Sequence, residues 1–348
     1  MTEPDGAAAS LSVAAGPDAG AAGAGGDAAR SAAAALVPGA LLVVVALVWG
    51  STFPMTKDVL TRTGTLDVLA LRFALAGAVS AVALLPALRR AGLGTWWRGA
   101  ALGIVYTAAQ VTQTLGIARA AASVSGFITA LYVVGTPLVA WSLWRVRPAR
   151  STALGVVLAL TGAGVLGLSG LHAGAGEALL LAGALFYSFH VVLLGRWSTG
   201  RSAWALSAIQ MMTLGVAHVL IALPGGIAVP DRAGDWASIV YLAVVAGLGA
   251  LVIQSWAQAR MDAARAVVIM ALEPVFSAVF SVTLYHEALT WRLVVGGGLI
   301  LAASIVVELA PVLARRRLMR AAHAGGSEPV PAALTTALPD HDRDQPML

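Results

Sequence analysis

Ten long apolar runs separated by short polar gaps dominate the chain. They cover residues 37–56, 66–86, 99–117, 123–145, 152–170, 177–197, 203–224, 236–258, 266–285 and 289–312. Each is near the roughly 20 residues that a helix needs to cross the hydrocarbon of a bilayer. None alternates polar and apolar positions as the strands of an outer-membrane barrel do. The pattern predicts an all-α integral membrane protein with ten transmembrane helices. Turn formers close several runs: Pro86 before Arg89-Arg90, Pro148 before Arg150, and Pro224-Gly225-Gly226 with Pro230. Residues 1–36, rich in Ala, Gly, Asp and Ser, carry too little apolar surface to offset their ordering entropy, which predicts a disordered N-terminal tail. Residues 313–348 include Arg315-Arg316-Arg317 and a Pro/Asp-rich stretch, and predict a second disordered tail. Glu3 and Asp5 stand where a signal peptide has its basic region, and the first apolar run has full spanning length, so no cleaved signal is expected.

Composition excludes the main competitor. Hydrophobic residues make up 59% of the chain and charged residues only 11%, too few to cover a soluble globule. There is no cysteine, which excludes disulfides, zinc–thiolate clusters and thiol chemistry, and no cofactor or metal is implied. The net charge of +5 does not form a basic stripe interleaved with aromatics, so nucleic acid is not an expected partner. The basic residues sit at the ends of the runs instead. With the N-terminus inside, fifteen of them, among them Arg89, Arg90, Arg145, Arg147, Arg196 and Arg315, fall on the cytoplasmic side. Only five, Lys57, Arg62, Arg119, Arg232 and Arg292, fall outside. The bias predicts a multi-pass protein of the cell membrane, surrounded by lipid, with both termini cytoplasmic.

The chain also repeats itself. A shift of 141 residues lays 113–166 over 254–307 without a gap, pairing Gln113 with Gln254, Arg119 with Arg260, Leu131 with Leu272 and Gly155 with Gly296. A second offset places Trp49-Gly50-Ser51 over Phe186-Tyr187-Ser188. The unit is five helices, residues 37–170 and 177–312. Five is odd, so the second copy enters the membrane from the opposite side. Two inverted five-helix repeats are the architecture of many secondary transporters, with the solute site near the midplane between the halves.

Several polar residues sit inside apolar runs, where each needs a reason. Glu273 lies roughly 12 Å into the ninth run at 1.5 Å per residue. An ionised carboxylate there is costly unless paired or hydrated. Beside it Pro274 lacks an amide hydrogen and frees a carbonyl. The pair reads as a proton-coupling or substrate-ammonium site at a broken helix, or as a neutral Glu bonding loose backbone at a kink. Arg72, about 9 Å into the second run, either lines a cavity and attracts an anionic group, or snorkels to the headgroups or pairs with a neighbouring helix, and the structural role is favoured. Pro137 in the fourth run is a further gating candidate. Gln110 and Gln113 share one helix face, as do Gln254 and Gln258, and amides in hydrocarbon turn to the bundle interior. Trp49, Tyr106, Tyr132, Tyr187, His190 and Trp256 lie at comparable depths and complete a mixed aromatic and amide surface suited to a small amphipathic solute, and Ser51 is a further candidate for contact with it. His218 reads as a bonded core histidine, and Glu287 with His286 as a solvated helix end.

Ala46-Leu47-Val48-Trp49-Gly50-Ser51-Thr52-Phe53, Leu71-Arg72-Phe73, and Thr129-Ala130-Leu131-Tyr132 through Pro137 form a recognisable series. Leu272-Glu273-Pro274-Val275-Phe276 and Glu287-Ala288-Leu289-Thr290 continue it in the second half. In their order, spacing and duplication these stretches resemble the EamA-type permeases of the drug/metabolite transporter superfamily, over residues 37–312. The resemblance implies ten helices in two EamA repeats and the movement of small metabolites, amino-acid-like or drug-like, often outward. One departure stands out. The family's first repeat usually carries a Glu before its Arg-Pro, and here Val146 precedes Arg147-Pro148, opposite Glu287. The expected function is a secondary transporter that alternates access between its repeats. An intramembrane enzyme lacks a nucleophile–base constellation here, and a channel lacks an acidic ring or filter-like loop. Neither the solute nor the oligomeric state is fixed by the sequence, and a homodimer stays open.

Overall fold

The computed structural model describes residues 19–145, 147–148, 150–169, 172–198, 203–258, 260 and 269–324. Val146, the ends of both tails and the side chain of Gln258 lie outside the described set. The described chain is helical almost throughout. The helices are α1 (Ala19–Leu60), α2 (Thr65–Ala83), a short α3 (Leu85–Arg89), α4 (Leu93–Arg119), α5 (Ala122–Thr129), α6 (Tyr132–Trp144) and α7 (Arg150–Gly167). The second half adds α8 (Ala175–Trp197), α9 (Ala203–Ala222), α10 (Ala233–Val240), α11 (Ala250–Gln258), α12 (Glu273–Leu284) and α13 (Trp291–Ala324). A π-helical stretch, Tyr241–Gly249, joins α10 to α11. The two-residue strands β1 (Leu168–Ser169) and β2 (His172–Ala173) pair antiparallel in the turn between the halves.

Among the described residues, five helical segments are long and apolar enough to cross a membrane: Leu36–Leu60, Thr65–Ala83, Ala122–Trp144, Ala175–Trp197 and Ala203–Gly225. Four shorter apolar helices, Arg150–Leu166, Ala233–Gly249, Glu273–Leu284 and Trp291–Val307, occupy the other expected positions. The tenth is α4, with 27 residues and a more polar composition. Its amides and hydroxyls face other helices rather than lipid, as the site below shows. The helical backbone of α1 starts at Ala19, inside the stretch whose composition predicts disorder. Alanine is the strongest helix former, and it continues the helix beyond the apolar run.

Both repeats break their fourth helix at the same place. α5 ends at Thr129 and α6 begins at Tyr132, while turn residues Ala271 and Leu272 precede α12 at Glu273. The 141-residue shift superposes Tyr132 on Glu273, so each copy starts a new half-helix at the equivalent residue. Pro274 sits in the first turn of α12, where a missing N–H costs nothing. The copies also end these half-helices alike. Among the described residues, the non-glycine positions with positive φ are Arg145 (58°) and His286 (55°), again 141 apart.

The principal helix pairings join one repeat to the other. α4 packs on α8 and α9, while α1 and α2 pack on the segment from α10 through α11 in the reciprocal arrangement. α1 lies on α12 as α5 and α6 lie on α8, and the pairs α2–α9, α7–α13 and α5–α12 map onto themselves. That exchange symmetry is what two inverted copies produce. Its tightest expression is the α7–α13 crossing. A Cβ on Gly162 would lie 2.7 Å from the carbonyl oxygen of Gly296, and one on Gly296 would lie 2.9 Å from that of Gly162. Only hydrogen fits on either side. Below the crossing, Phe127, Leu166, Leu293 and Ile300 fill a buried cluster.

Gly162→Ala therefore forces the two backbones apart. It should destabilise the protein by roughly 1–3 kcal/mol, the usual range for overpacking. Gly298→Ala, on the same helix α13 but with nothing within 4 Å of its Cβ, should be neutral or stabilising through helix propensity. Thermal unfolding in detergent compares the two, and equal melting temperatures would contradict the crossing.

Candidate functional site

Between the repeats lies a cavity of about 340 Å³. α1 contributes Trp49, Phe53 and Thr56, and α2 contributes Arg72 and Phe73. α4 supplies Tyr106, Gln110 and Gln113, and the break between α5 and α6 brings Thr129 and Tyr132. The second repeat adds Tyr187, His190 and Val191 from α8, Ala246 and Gly247 from the π-helical stretch, Gln254 from α11, and Glu273. Both broken helices thus open onto the same space. Irregular backbone is tolerated at membrane depth where it lines such a cavity.

The wall is ordered by stacked rings and a chain of amides. Tyr106 stacks on His190 with centroids 4.6 Å apart and meets Tyr187 edge-on at 5.7 Å. Tyr187 in turn approaches Tyr132 at 6.1 Å. The Tyr187 hydroxyl donates to Gln113 Oε1 at 2.7 Å, and Gln113 Nε2 donates to Thr129 Oγ1 at 3.3 Å. One amide of repeat 1 is thereby held by a tyrosine of repeat 2. His190 Nε2 lies 2.8 Å from Gln210 Oε1 of α9, which fixes the ring from behind.

One polar atom on each of two lining side chains lacks such a partner among the described residues. Arg72 lays its guanidinium over the Phe73 ring, 4.9 Å from the centroid, and its Nε is buried with no hydrogen-bond partner among the described residues. It lines the cavity, one of the two placements considered from sequence. Gln110 is 4% exposed and its Oε1 is likewise unpartnered. Leaving a buried polar atom unpaired costs roughly 1–3 kcal/mol, and a solute that supplies the missing partner recovers it. Tyr106 and Tyr187 lie within electrostatic reach of both Arg72 and Glu273. Among the described residues Arg72 and Glu273 make no ion pair with each other, and both line the cavity.

Trp49, Arg72, Gln110, Gln113, Tyr132, Tyr187, His190, Gln254 and Glu273, predicted from sequence, all reach this cavity. Ser51, Pro137, Pro274 and Trp256 are not among its lining residues. Ser51 Oγ bonds the Val48 carbonyl at 2.7 Å and the Tyr241 hydroxyl at 2.9 Å. Trp256 is 39% exposed, with Arg260 over its ring. His218 is buried against Phe73 and bonds the Leu214 carbonyl at 2.8 Å through Nδ1, in line with a bonded core histidine. The π-helical stretch was not foreseen. It presents the Ala246 carbonyl to the Trp49 indole N–H at 2.8 Å.

The face at which α1 ends, here the distal face, carries a second polar group. Glu287 is not the solvated end expected from sequence. Its carboxylate accepts from the Ala122 N–H at 2.7 Å, the Ser123 N–H at 3.0 Å and the Ser123 hydroxyl at 2.7 Å, capping α5 of the other repeat. A carboxylate there is favoured by the unpaired N–H groups and by the helix dipole. Lys57 Nζ donates to the Ala120 carbonyl just before that cap. Arg62 bridges Asp58 and Asp235, with Nη2 to Asp235 Oδ1 at 2.7 Å. Asp58, and then Asp235, hold the Arg62 guanidinium more firmly protonated than an isolated arginine.

The Gln113 chain is open to a direct test. Gln113→Leu strands the Tyr187 hydroxyl and should cost about 1–3 kcal/mol. In the Tyr187→Phe background the same change should cost measurably less, because the stranded donor is gone. A double-mutant cycle from unfolding in detergent reads this, and strictly additive effects would dissolve the proposed contact.

Comparison with known proteins agrees with this architecture. The EamA-like transporter family model matches twice, over residues 37–168 and 174–309. An uncharacterized transporter of Archaeoglobus fulgidus is 30% identical over 269 residues, 77% of this chain and 84% of that protein. A protein of known crystal structure, at 20% identity, superposes with a TM-score of 0.56 over 82% of this chain and 98% of its own, which shows a shared fold. With two family repeats, ten helical segments and a cavity between inverted halves, the chain belongs to the EamA-like transporter family.

Proposed function

We propose that the protein is a secondary carrier that exports small amphipathic metabolites of amino-acid-like or drug-like character. The observation that carries this reading is the cavity at the repeat boundary, where both broken helices, Arg72 with its buried unpartnered Nε, and the acidic Glu273 converge on stacked rings. A solute with an anionic group, an apolar or aromatic body and a cationic or donor group complements that wall. Guanidinium to carboxylate is a strong charge-assisted contact, and the ring faces favour apolar and cationic matter alike. Export is supported by the family likeness, which implies movement of small metabolites often outward.

Glu273 carries the coupling in this reading. Its carboxyl begins a half-helix in the cavity, where gain or loss of a proton changes what the site can hold. Purified protein in proteoliposomes, loaded with labelled zwitterionic amino compounds, should show counterflow stimulated by solute on the opposite side. Glu273→Gln should abolish proton-driven accumulation and leave downhill exchange intact. Arg72→Gln should weaken transport of solutes bearing a carboxylate by about tenfold or more, the loss of one charge-assisted contact, and spare solutes without one. Proton-driven transport that survives Glu273→Gln would remove the coupling role, and covalent change of the solute would replace the carrier with an enzyme.

A further inference from the structure

The third helix of each repeat follows the same pattern until the middle of the membrane, where the second copy gains one residue. Over the first part of α4 a shift of 140 lays Gly94 on Gly234, Trp96 on Trp236, Leu102 on Leu242 and Val105 on Val245. The helix starts agree, since α4 begins at Leu93 and α10 at Ala233. Further on the shift is 141, with Gln113 on Gln254 and Arg119 on Arg260. The backbone absorbs the extra residue where it enters. α4 is α-helical from Leu93 to Arg119, whereas Tyr241–Gly249 is wound as a π-helix. We propose that this inserted residue is a specificity determinant: the wide turn it forces anchors the Trp49 indole in the cavity wall and so selects which solute bodies the site accepts. This rests on the carrier reading above and adds to it what shapes the site.

The hydrogen bonds show how the turn does this. In an α-helix the Ala250 N–H would take the Ala246 carbonyl, four residues back. Here it bonds the carbonyls of Val245 and Gly247 instead. The Ala246 carbonyl is released from its α-helical partner, and the Trp49 indole N–H takes it at 2.8 Å. One turn earlier, the Tyr241 hydroxyl meets Ser51 Oγ of α1 at 2.9 Å. Trp49 lines the cavity together with Leu242, Ala243, Ala246 and Gly247 of the wide turn. The counterpart of Ala246 under the shift of 140, and of Gly247 under 141, is Tyr106. Repeat 1 thus supplies a ring from its own third helix. Repeat 2 supplies small residues there, and a ring from α1 docks on the freed carbonyl. Wide turns of this kind are frequent at functional sites.

An insertion of this kind is separable from the fold. Deleting a residue from a regular α-helix turns everything beyond it by about 100°, one residue's share of a turn. Deleting the extra residue from the wide turn restores α-helical winding, and α10 and α11 keep the faces they present. Val245 is 44% exposed and Ile104, in the equivalent part of α4, is 58% exposed, so neither deletion removes a buried side chain.

The test compares deletion of Val245 with deletion of Ile104. In detergent the Val245 deletion should melt close to the unaltered chain, and the Ile104 deletion should melt roughly 10 °C or more below it. Counterflow of labelled leucine and labelled tryptophan is then measured in proteoliposomes. Deleting Val245 should change the ratio of the two rates by about fivefold or more, the effect of one lost hydrogen bond. Trp49→Phe keeps a ring but removes the indole N–H, and should change the ratio in the same direction. Combined with the Val245 deletion it should add little, because both remove the same contact. A Val245 deletion that melts as low as the Ile104 deletion would overturn the separable insertion. A folded deletion with an unchanged ratio, or effects that add fully in the combined variant, would overturn the selectivity role and leave the carrier reading standing. Failure of both amino acids to exchange in the unaltered chain would instead remove the carrier reading, and this role with it.

Discussion

Backbone polar groups in hydrocarbon must be satisfied within the protein, and that constraint shapes this molecule at every level. It forces the apolar runs into helices. It also restricts where a helix can stop inside the membrane, because each break exposes N–H and C=O groups. Both breaks here, at Ala130-Leu131 and Ala271-Leu272, fall where helices of the opposite repeat enclose them. Close packing between the halves makes that enclosure possible. At the α7–α13 crossing two glycines allow carbonyl and Cα to approach directly, and the α2–α9 crossing repeats the device with Gly77 and Gly215.

Because the main pairings run between repeats, the core is itself the boundary along which a carrier must move. The contacts there fall into two kinds. Small-residue crossings and apolar clusters have little direction and tolerate sliding. Directed ties, such as Tyr187 to Gln113, Trp49 to the Ala246 carbonyl and Glu287 to α5, fix particular arrangements. The directed ties gather at the cavity and at the distal face. In the proposed carrier they are where solute binding and a change of access are coupled, since only contacts that differ between two states can bias them.

Much of this was legible in residue pattern. Glu273, Arg72 and the paired amides Gln113 and Gln254 stood out because polar groups in apolar runs need partners, and the cavity collects all four. Other features left faint traces or none. Ser51 and Trp256 share helices with true lining residues, yet one bonds Tyr241 and the other faces outward. Rotation about a helix axis decides that, and it depends on neighbours that a single run does not name. Glu287 was misjudged for a related reason. Its partner is a helix N-terminus about 160 residues away, and no local pattern marks the cap.

The sequence by itself determined that the chain lives in lipid, that it crosses ten times, and that it consists of two copies of opposite sense. Those conclusions follow from run length, an odd repeat and residue spacing, all of which are local or periodic. Only the tertiary structure decided which faces of those helices meet, that both broken helices open on one cavity, and that Arg72 Nε and Gln110 Oε1 are buried there without a hydrogen-bond partner among the described residues. Those features follow from contacts between distant segments, set by packing in three dimensions.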